Sequence, residues 1–160
     1  MTIQDGSKAR ILAVEDDPHI RILLSHLLQA RYDVVLVRSV DEALRAASDQ
    51  RFDLFLLDIN LRDYANGVEL LHALRQMPAY RNTPAIACTA YAMQGDQSHF
   101  FEQGFLGYVG KPFAREDLVG TVQATLDEAA RIAAGIPTLP PVSALPPVSA
   151  SAASLHGVAA

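Results

Sequence analysis

The sequence predicts an α/β protein built around a doubly wound parallel sheet, and two observations support this fold class. Short apolar runs alternate with longer amphipathic segments from Arg10 to about Leu126, a pattern typical of strand–helix repeats. The apolar runs are also continuous, as in residues 11–14. Continuous runs are expected of strands that helices cover on both faces.

Five runs are predicted to form the strands, and the first two helices have recognisable starts. The predicted strands are residues 11–14, 34–37, 54–57, 85–88 and 105–109. Asp17 followed by Pro18 favours the start of helix one, because aspartate caps a helix and proline fits its first turn. Ser39 and Glu42 form a Ser-x-x-Glu capping box, which predicts the start of helix two.

The remaining helices are predicted from the spacing of their apolar residues. Helices three and five are expected around residues 68–74 and 118–126, where apolar side chains recur on one helical face. Helix four is predicted from about Met93 to Gln103 and is expected to end at Gly104, a usual residue for leaving a helix in the left-handed conformation. Together these elements predict a flavodoxin-like (βα)5 fold with strand order 2-1-3-4-5.

The chain divides into one domain and a low-complexity tail. We expect residues 1–8 to form a flexible N-terminus, residues 9–134 to form the domain, and residues 135–160 to form an extended, disordered tail rich in proline, alanine and serine. The same six residues, Leu-Pro-Pro-Val-Ser-Ala, occur at 139–144 and again at 145–150. The tail is therefore interpreted as a linker or tether.

Composition and charge favour protein partners in the cytoplasm. Half of the 160 residues are apolar, which suffices for one sizeable core. The net charge is −5 and no lysine- or arginine-rich run occurs, so we expect neither direct DNA binding nor an anionic-membrane surface. Cys88 is the only cysteine, so it cannot form an internal disulfide, and this favours a reducing compartment.

Polar residues follow four of the five predicted strands. Glu15 and Asp16 follow strand one, Asp58 follows strand three, Thr89 ends strand four and Lys111 follows strand five. Because the carboxyl ends of parallel strands share one edge of the sheet, these side chains are expected in one cleft. Clustered carboxylates favour a hard divalent cation such as Mg²⁺. A metal-bound carboxylate beside a lysine points to phosphoryl transfer onto Asp58.

From Ala9 to Leu126 the chain resembles the receiver domain of bacterial two-component response regulators, chiefly the single-domain, chemotaxis-regulator-like members. The resemblance is carried by four motifs, which are Val14-Glu15-Asp16-Asp17-Pro18, Leu57-Asp58, Thr89-Ala90 and Gly107-Tyr108-Val109-Gly110-Lys111-Pro112-Phe113. The segment from Thr89 to Asp96 is similar both to single-domain regulators and to receivers attached to hybrid kinases.

The resemblance implies roles for the metal ligands. Asp16 matches the direct ligand of Mg²⁺, and Glu15 matches a partner that acts largely through water. Asp58 matches the phosphorylated aspartate. Asn60 falls where the backbone carbonyl usually contacts the metal.

The resemblance also implies a switch and its partners. Thr89 matches the switch hydroxyl, Lys111 the lysine that contacts the phosphoryl group, and Tyr108 the aromatic that turns inward after phosphorylation. The peptide bond before Pro112 is expected to be cis. The implied phosphoryl source is a sensor histidine kinase or a histidine phosphotransfer protein, and the implied output is a downstream protein that binds the face of helix four, strand five and helix five.

One loop departs from the family pattern, and two alternative functions stay open. The loop from Asn60 to Gly67 is about one residue longer than usual and lacks a common proline, although Gly67 keeps the expected turn. An aspartyl-phosphate phosphatase of the haloacid-dehalogenase type would need a second aspartate where Asn60 stands, because that residue is its general acid. A scaffolding receiver that is never phosphorylated is the other alternative.

Overall fold

The computed structural model describes residues 6–90 and 96–137. Its centre is a parallel sheet of five strands in the order 2-1-3-4-5, so the predicted topology is confirmed. The strands are β1 Arg10–Val14, β2 Asp33–Val37, β3 Leu54–Asp58, β4 Ala85–Thr89 and β5 Gly107–Gly110. The helices are α1 Pro18–Leu28, α2 Val40–Asp49, α3 Gly67–Gln76, a short 3-10 helix Pro78–Tyr80, α4 Asp96–Glu102 and α5 Arg115–Ala133.

The sheet separates two apolar cores. One core joins it to α2, α3 and α4, and the other joins it to α1 and α5. In β1 the side chains alternate between the two, since Leu12 and Val14 enter the first core while Ile11 and Ala13 enter the second. Because both faces are covered, the buried residues 11–14 of this central strand are all apolar, which explains the continuous apolar run.

Side chains cap the first three helices, as their N–H groups at the start require. The Asp17 carboxylate accepts a hydrogen bond from the His19 N–H at 2.8 Å, as predicted. Ser39 accepts from the Glu42 N–H at 3.2 Å, but Glu42 accepts from the Arg38 N–H and not from that of Ser39. The capping box predicted for α2 is therefore only half formed.

A complete capping box begins α3 instead, where the sequence had suggested none. The Asn66 side chain accepts from the Glu69 N–H at 2.9 Å, and the Glu69 carboxylate accepts from the Asn66 N–H at 2.8 Å. Asparagine in place of the usual serine or threonine satisfies the same two donors.

Glycines end α4 and α5 in the left-handed conformation. Gly104 has a φ of 100°, as predicted, and Gly135 has a φ of 71°. Beyond α5 the Gly135 N–H binds the Ile132 carbonyl and the Ile136 N–H binds the Arg131 carbonyl, both at 3.0 Å. These two bonds form a Schellman motif, which satisfies carbonyls that the helix itself leaves free.

The predicted start of β5 differs from the structure. β5 begins at Gly107, two residues later than predicted, because the Phe105 N–H still binds Phe100 at the end of α4. The start predicted for helix four at Met93 lies outside the described residues, as do the two six-residue repeats of the tail. No helix in the described ranges is both long and apolar enough to cross a bilayer.

Candidate functional site

The polar residues predicted to share a cleft lie together at the carboxyl edge of the sheet. Glu15 and Asp16 follow β1, and Asp58 ends β3. One oxygen from each of these three carboxylates lies within 4.8 Å of the others. Glu15 and Asp58 are almost fully buried, with exposures of 2% and 3%, whereas Asp16 is partly exposed. Solvent therefore reaches the cluster from the side of Asp16, while Glu15 and Asp58 are closed off from it.

Lys111 joins the cluster from the end of the edge strand β5. Its Nζ lies 2.5 Å from a Glu15 oxygen and 3.2 Å from an Asp58 oxygen. Its backbone N–H donates to the carbonyl of the buried Thr89 at 2.7 Å, which fixes the turn after β5. The peptide bond between Lys111 and Pro112 is cis, as the resemblance implied.

The electrostatic state of the cluster follows from burial and from this ion pair. Burial raises the pKa of Glu15 to about 7, against the lowering effect of its hydrogen bonds with Lys111 and Asp17. Burial alone would lower the pKa of Lys111, but the Glu15 hydrogen bond and the carboxylates of Asp58 and Glu15 outweigh it, so the pKa is raised. Lys111 therefore stays protonated.

This donor set fits a hard divalent cation. Three carboxylates face a single ammonium group, so a further positive charge would relieve their repulsion. All three offer oxygen atoms, which Mg²⁺ prefers, and the exposed side of Asp16 leaves room for the waters that Mg²⁺ usually keeps.

Asn60 lies beside the cluster and has two hydrogen-bond donors there. Its backbone N–H donates to Asp58 at 3.0 Å, and its side-chain amide lies 3.5 Å from the Thr89 hydroxyl. The expected contact of its carbonyl with the metal stays a prediction.

Tyr108 lies away from the carboxylates, on the side of the sheet that carries α4. Its half-buried ring stacks on Phe100 with centroids 5.7 Å apart. The hydroxyl is buried and has no hydrogen-bond partner among residues 6–90 and 96–137. Burial raises the pKa of this hydroxyl. Tyr108 is thus turned inward, which is the orientation that the resemblance associates with phosphorylation.

Two residues that the sequence did not assign to the site support its acids. Arg21 of α1 donates to the backbone carbonyls of Glu15 and Asp16, each at 2.8 Å. An arginine one turn inside the helix that follows the acids was the available signal. Gly67 begins α3 so close to β3 that a Cβ atom there would overlap the Asp58 carbonyl oxygen. Its φ is not positive, so close approach and not turn geometry requires the glycine.

Comparisons with known proteins agree with this architecture. The family model of the response regulator receiver domain matches residues 11–123. The polar-differentiation response regulator DivK of Brucella anthropi is 32% identical over 120 residues, which cover 74% of this chain and 97% of that protein. The histidine-protein kinase BarA of Shigella flexneri is 34% identical over 121 residues, but these make up only 13% of the kinase.

Solved structures show the same fold. The chemotaxis response regulator CheY4 of Vibrio cholerae is 33% identical, with a TM-score of 0.69 over 74% of this chain and 99% of that one. The receiver domain of a sensor histidine kinase from Pseudomonas aeruginosa PAO1 is also 33% identical, with a TM-score of 0.67 over 76% of this chain and 99% of that one. That receiver was solved with a magnesium ion coordinated in its active site cleft. With its sheet order, its acidic cleft and these matches, the chain belongs to the response regulator receiver domain family.

Proposed function

We propose that this receiver is a phosphorylation switch in which Asp58 accepts a phosphoryl group from a phosphohistidine. The observation that carries the proposal is the pairing of the buried Asp58 carboxylate with Lys111 at 3.2 Å, inside a cluster of oxygen ligands. The donor would be a sensor histidine kinase or a histidine phosphotransfer protein. In the transfer, an Asp58 oxygen forms a bond to phosphorus as the bond from phosphorus to the histidine nitrogen breaks.

Each residue around Asp58 would have a separate task. Asp16, Asp58 and the Asn60 carbonyl would hold Mg²⁺, with Glu15 acting largely through water. The ion would neutralise negative charge on the phosphoryl oxygens. Lys111 would bind a phosphoryl oxygen after transfer, exchanging its pairing with Asp58 for one with the new group. The Thr89 hydroxyl would donate to another of these oxygens.

The proposed output is a change in the surface formed by α4, β5 and α5. β5 is an edge strand of the sheet, and both α4 and α5 pack against it. Movement of Thr89 toward the phosphoryl group would favour the inward position of Tyr108 and the packing of α4 that goes with it. A downstream protein would bind this surface. Its binding would shift the equilibrium between the two conformations only if it has a higher affinity for one of them.

We further propose that the protein acts in the cytoplasm as a signalling domain and not as an enzyme with multiple turnover. The free Cys88 fits a reducing compartment. The phosphatase alternative is disfavoured because Asn60 cannot act as a general acid. The proposed contacts are with proteins and not with DNA, in keeping with the net charge of −5.

The test is intact mass after incubation with Mg²⁺ and a small phosphoryl donor, or with a broad-specificity sensor kinase. Wild-type protein is expected to gain one phosphoryl group, and Asp58→Asn is expected to gain none. Asp17→Asn is the matched control, because it removes a carboxylate near the cluster while asparagine still caps α1. Wild-type protein that gains no mass with either donor would instead support the scaffolding alternative.

A further inference from the structure

The loop between β3 and α3 is attached to other elements along its whole length. At one end Asn60 donates to Asp58, and at the other end Asn66 caps α3. Leu61 is buried in the core that carries α2 and α3. Of the residues that follow, Arg62 contacts Asp16, and Asp63 and Tyr64 contact the start of α2.

Asp63 fixes the middle of this loop to the start of α2. One of its carboxylate oxygens accepts from the Val40 N–H at 2.9 Å, and the other accepts from the Tyr64 N–H at 2.8 Å. Val40 is the first residue of α2, where N–H groups lack partners within the helix and a negative charge is favoured. The Tyr64 hydroxyl adds a second attachment by donating to Asp41 at 2.8 Å.

The neighbouring residue contacts an expected metal ligand. The Arg62 backbone N–H donates to an Asp16 carboxylate oxygen at 3.2 Å. The Arg62 side chain is 93% exposed and its Nε lies 3.8 Å from the same oxygen, a distance and exposure at which an ion pair contributes little. The orientation of Asp16 therefore depends on the loop backbone more than on the arginine charge.

We propose that Asp63 is a positioning residue for the divalent-cation site. By attaching the loop to α2, it holds the Arg62 N–H against Asp16 and keeps that carboxylate turned toward Asp58. This inference rests on the proposed function, in which Asp16 binds Mg²⁺. Partners one shell beyond a metal ligand commonly change metal affinity by about 10- to 100-fold.

The experiment is calorimetric titration of Mg²⁺ into the full, unphosphorylated chain. Asp63→Ala is expected to weaken Mg²⁺ binding about tenfold. Asp63→Asn is expected to stay within about twofold of wild type, because its amide oxygen can still accept from Val40. Both variants lose the same charge, so the difference between them isolates the hydrogen bond.

Two further variants change Arg62, whose backbone N–H joins the loop to Asp16. Arg62→Pro removes the N–H that binds Asp16, and it is expected to weaken Mg²⁺ binding even though it also removes a repelling positive charge. Arg62→Ala loses the same charge but keeps the N–H, so it is expected to bind Mg²⁺ at least as well as wild type.

Ser39→Ala is the control for stability alone. Ser39 caps α2 through a hydrogen bond with the Glu42 N–H and not with the loop, so its loss is expected to lower resistance to urea while Mg²⁺ affinity stays unchanged. Affinity equal in Asp63→Ala and wild type, or weakened as much by Ser39→Ala, would overturn the inference while the phosphorylation proposal stands. Wild-type protein that binds no Mg²⁺ would overturn both.

Discussion

Two paired residues on adjacent strands differ in reactivity in this receiver. Asp58 and Cys88 are paired in the β3–β4 register, and both are nearly inaccessible to solvent. Asp58 ends its strand at the cleft, whereas Cys88 enters the core shared with α1 and α5. Burial raises the pKa of the Cys88 thiol to about 12, and the lowering effect of Lys111 does not offset it. The thiolate needed for reaction is thus scarce at neutral pH.

Cys88 is therefore expected to resist thiol reagents in the folded protein. At about pH 8, a disulfide-type reagent should label native protein far more slowly than protein unfolded in urea. The measurement is mass after timed labelling. Ser48→Cys supplies a matched thiol at an exposed position of α2, and native protein of this variant should gain one label per chain. Rapid labelling of native wild type would contradict the buried position of Cys88.

At the level of the elements, contact between α3 and the end of β3 sets the shape of the site. The Gly67 N–H donates to the Ile59 carbonyl at 3.2 Å, which places the first residue of α3 directly on the backbone of Asp58. No side chain fits there. By contrast, the place where a Cβ of Gly120 in α5 would be has no atom within 4 Å apart from its chain neighbours and the adjacent backbone of its own helix.

This difference predicts opposite results for the same substitution. Gly67→Ala is expected to lower the free energy of unfolding by about 2 kcal/mol, because the added methyl must displace backbone. It should also slow phosphorylation of Asp58. Gly120→Ala is expected to raise the free energy of unfolding by about 0.5–1 kcal/mol, because alanine is the better helix former. Urea titration measures both values, and equal effects of the two substitutions would contradict the close approach of α3.

The elements also show what the sequence could and could not predict. Strand order and the strand-end cluster follow from apolar runs and from the shared edge of parallel strands. The contacts of Arg75 could not be predicted from the sequence, because backbone carbonyls accept all of them and every residue has one. Its guanidinium donates to the carbonyls of Tyr80, Arg81, Thr83 and Gly104. Only the folded chain brings the last of these, 29 residues away, next to α3. The attachment of Asp63 to α2 is hidden for the same reason.

For the whole molecule, the cleft is a source of instability that a ligand can remove. Glu15 and Asp58 are buried with only Lys111 between them, and Asp16 adds a third carboxylate. Burial of like charges is unfavourable, so the metal-free fold keeps these acids at a cost that the apolar cores on both faces of the sheet offset. Stability and metal binding should therefore be linked.

Magnesium is accordingly expected to stabilise the folded protein. At a concentration of 100 times its Kd, a ligand that binds only the folded state adds about 2.7 kcal/mol to the free energy of unfolding. Differential scanning calorimetry with Mg²⁺ and with a chelator should therefore show a higher Tm in Mg²⁺. Asp58→Asn keeps the shape and the acceptor for the Asn60 N–H while removing one charge. Without metal it should be more stable than wild type by roughly 1 kcal/mol.

The same variant should respond only weakly to Mg²⁺, because it has lost one of the three carboxylates. The stability of the folded protein would then no longer depend on the metal, although Asp58→Asn replaces only one oxygen by nitrogen. If wild type and Asp58→Asn gained equally in Tm, the ion would be binding elsewhere on the acidic surface, and the strand-end carboxylates would need another explanation. A Tm in wild type that ignores Mg²⁺ at millimolar excess would mean that Lys111 alone balances the cluster.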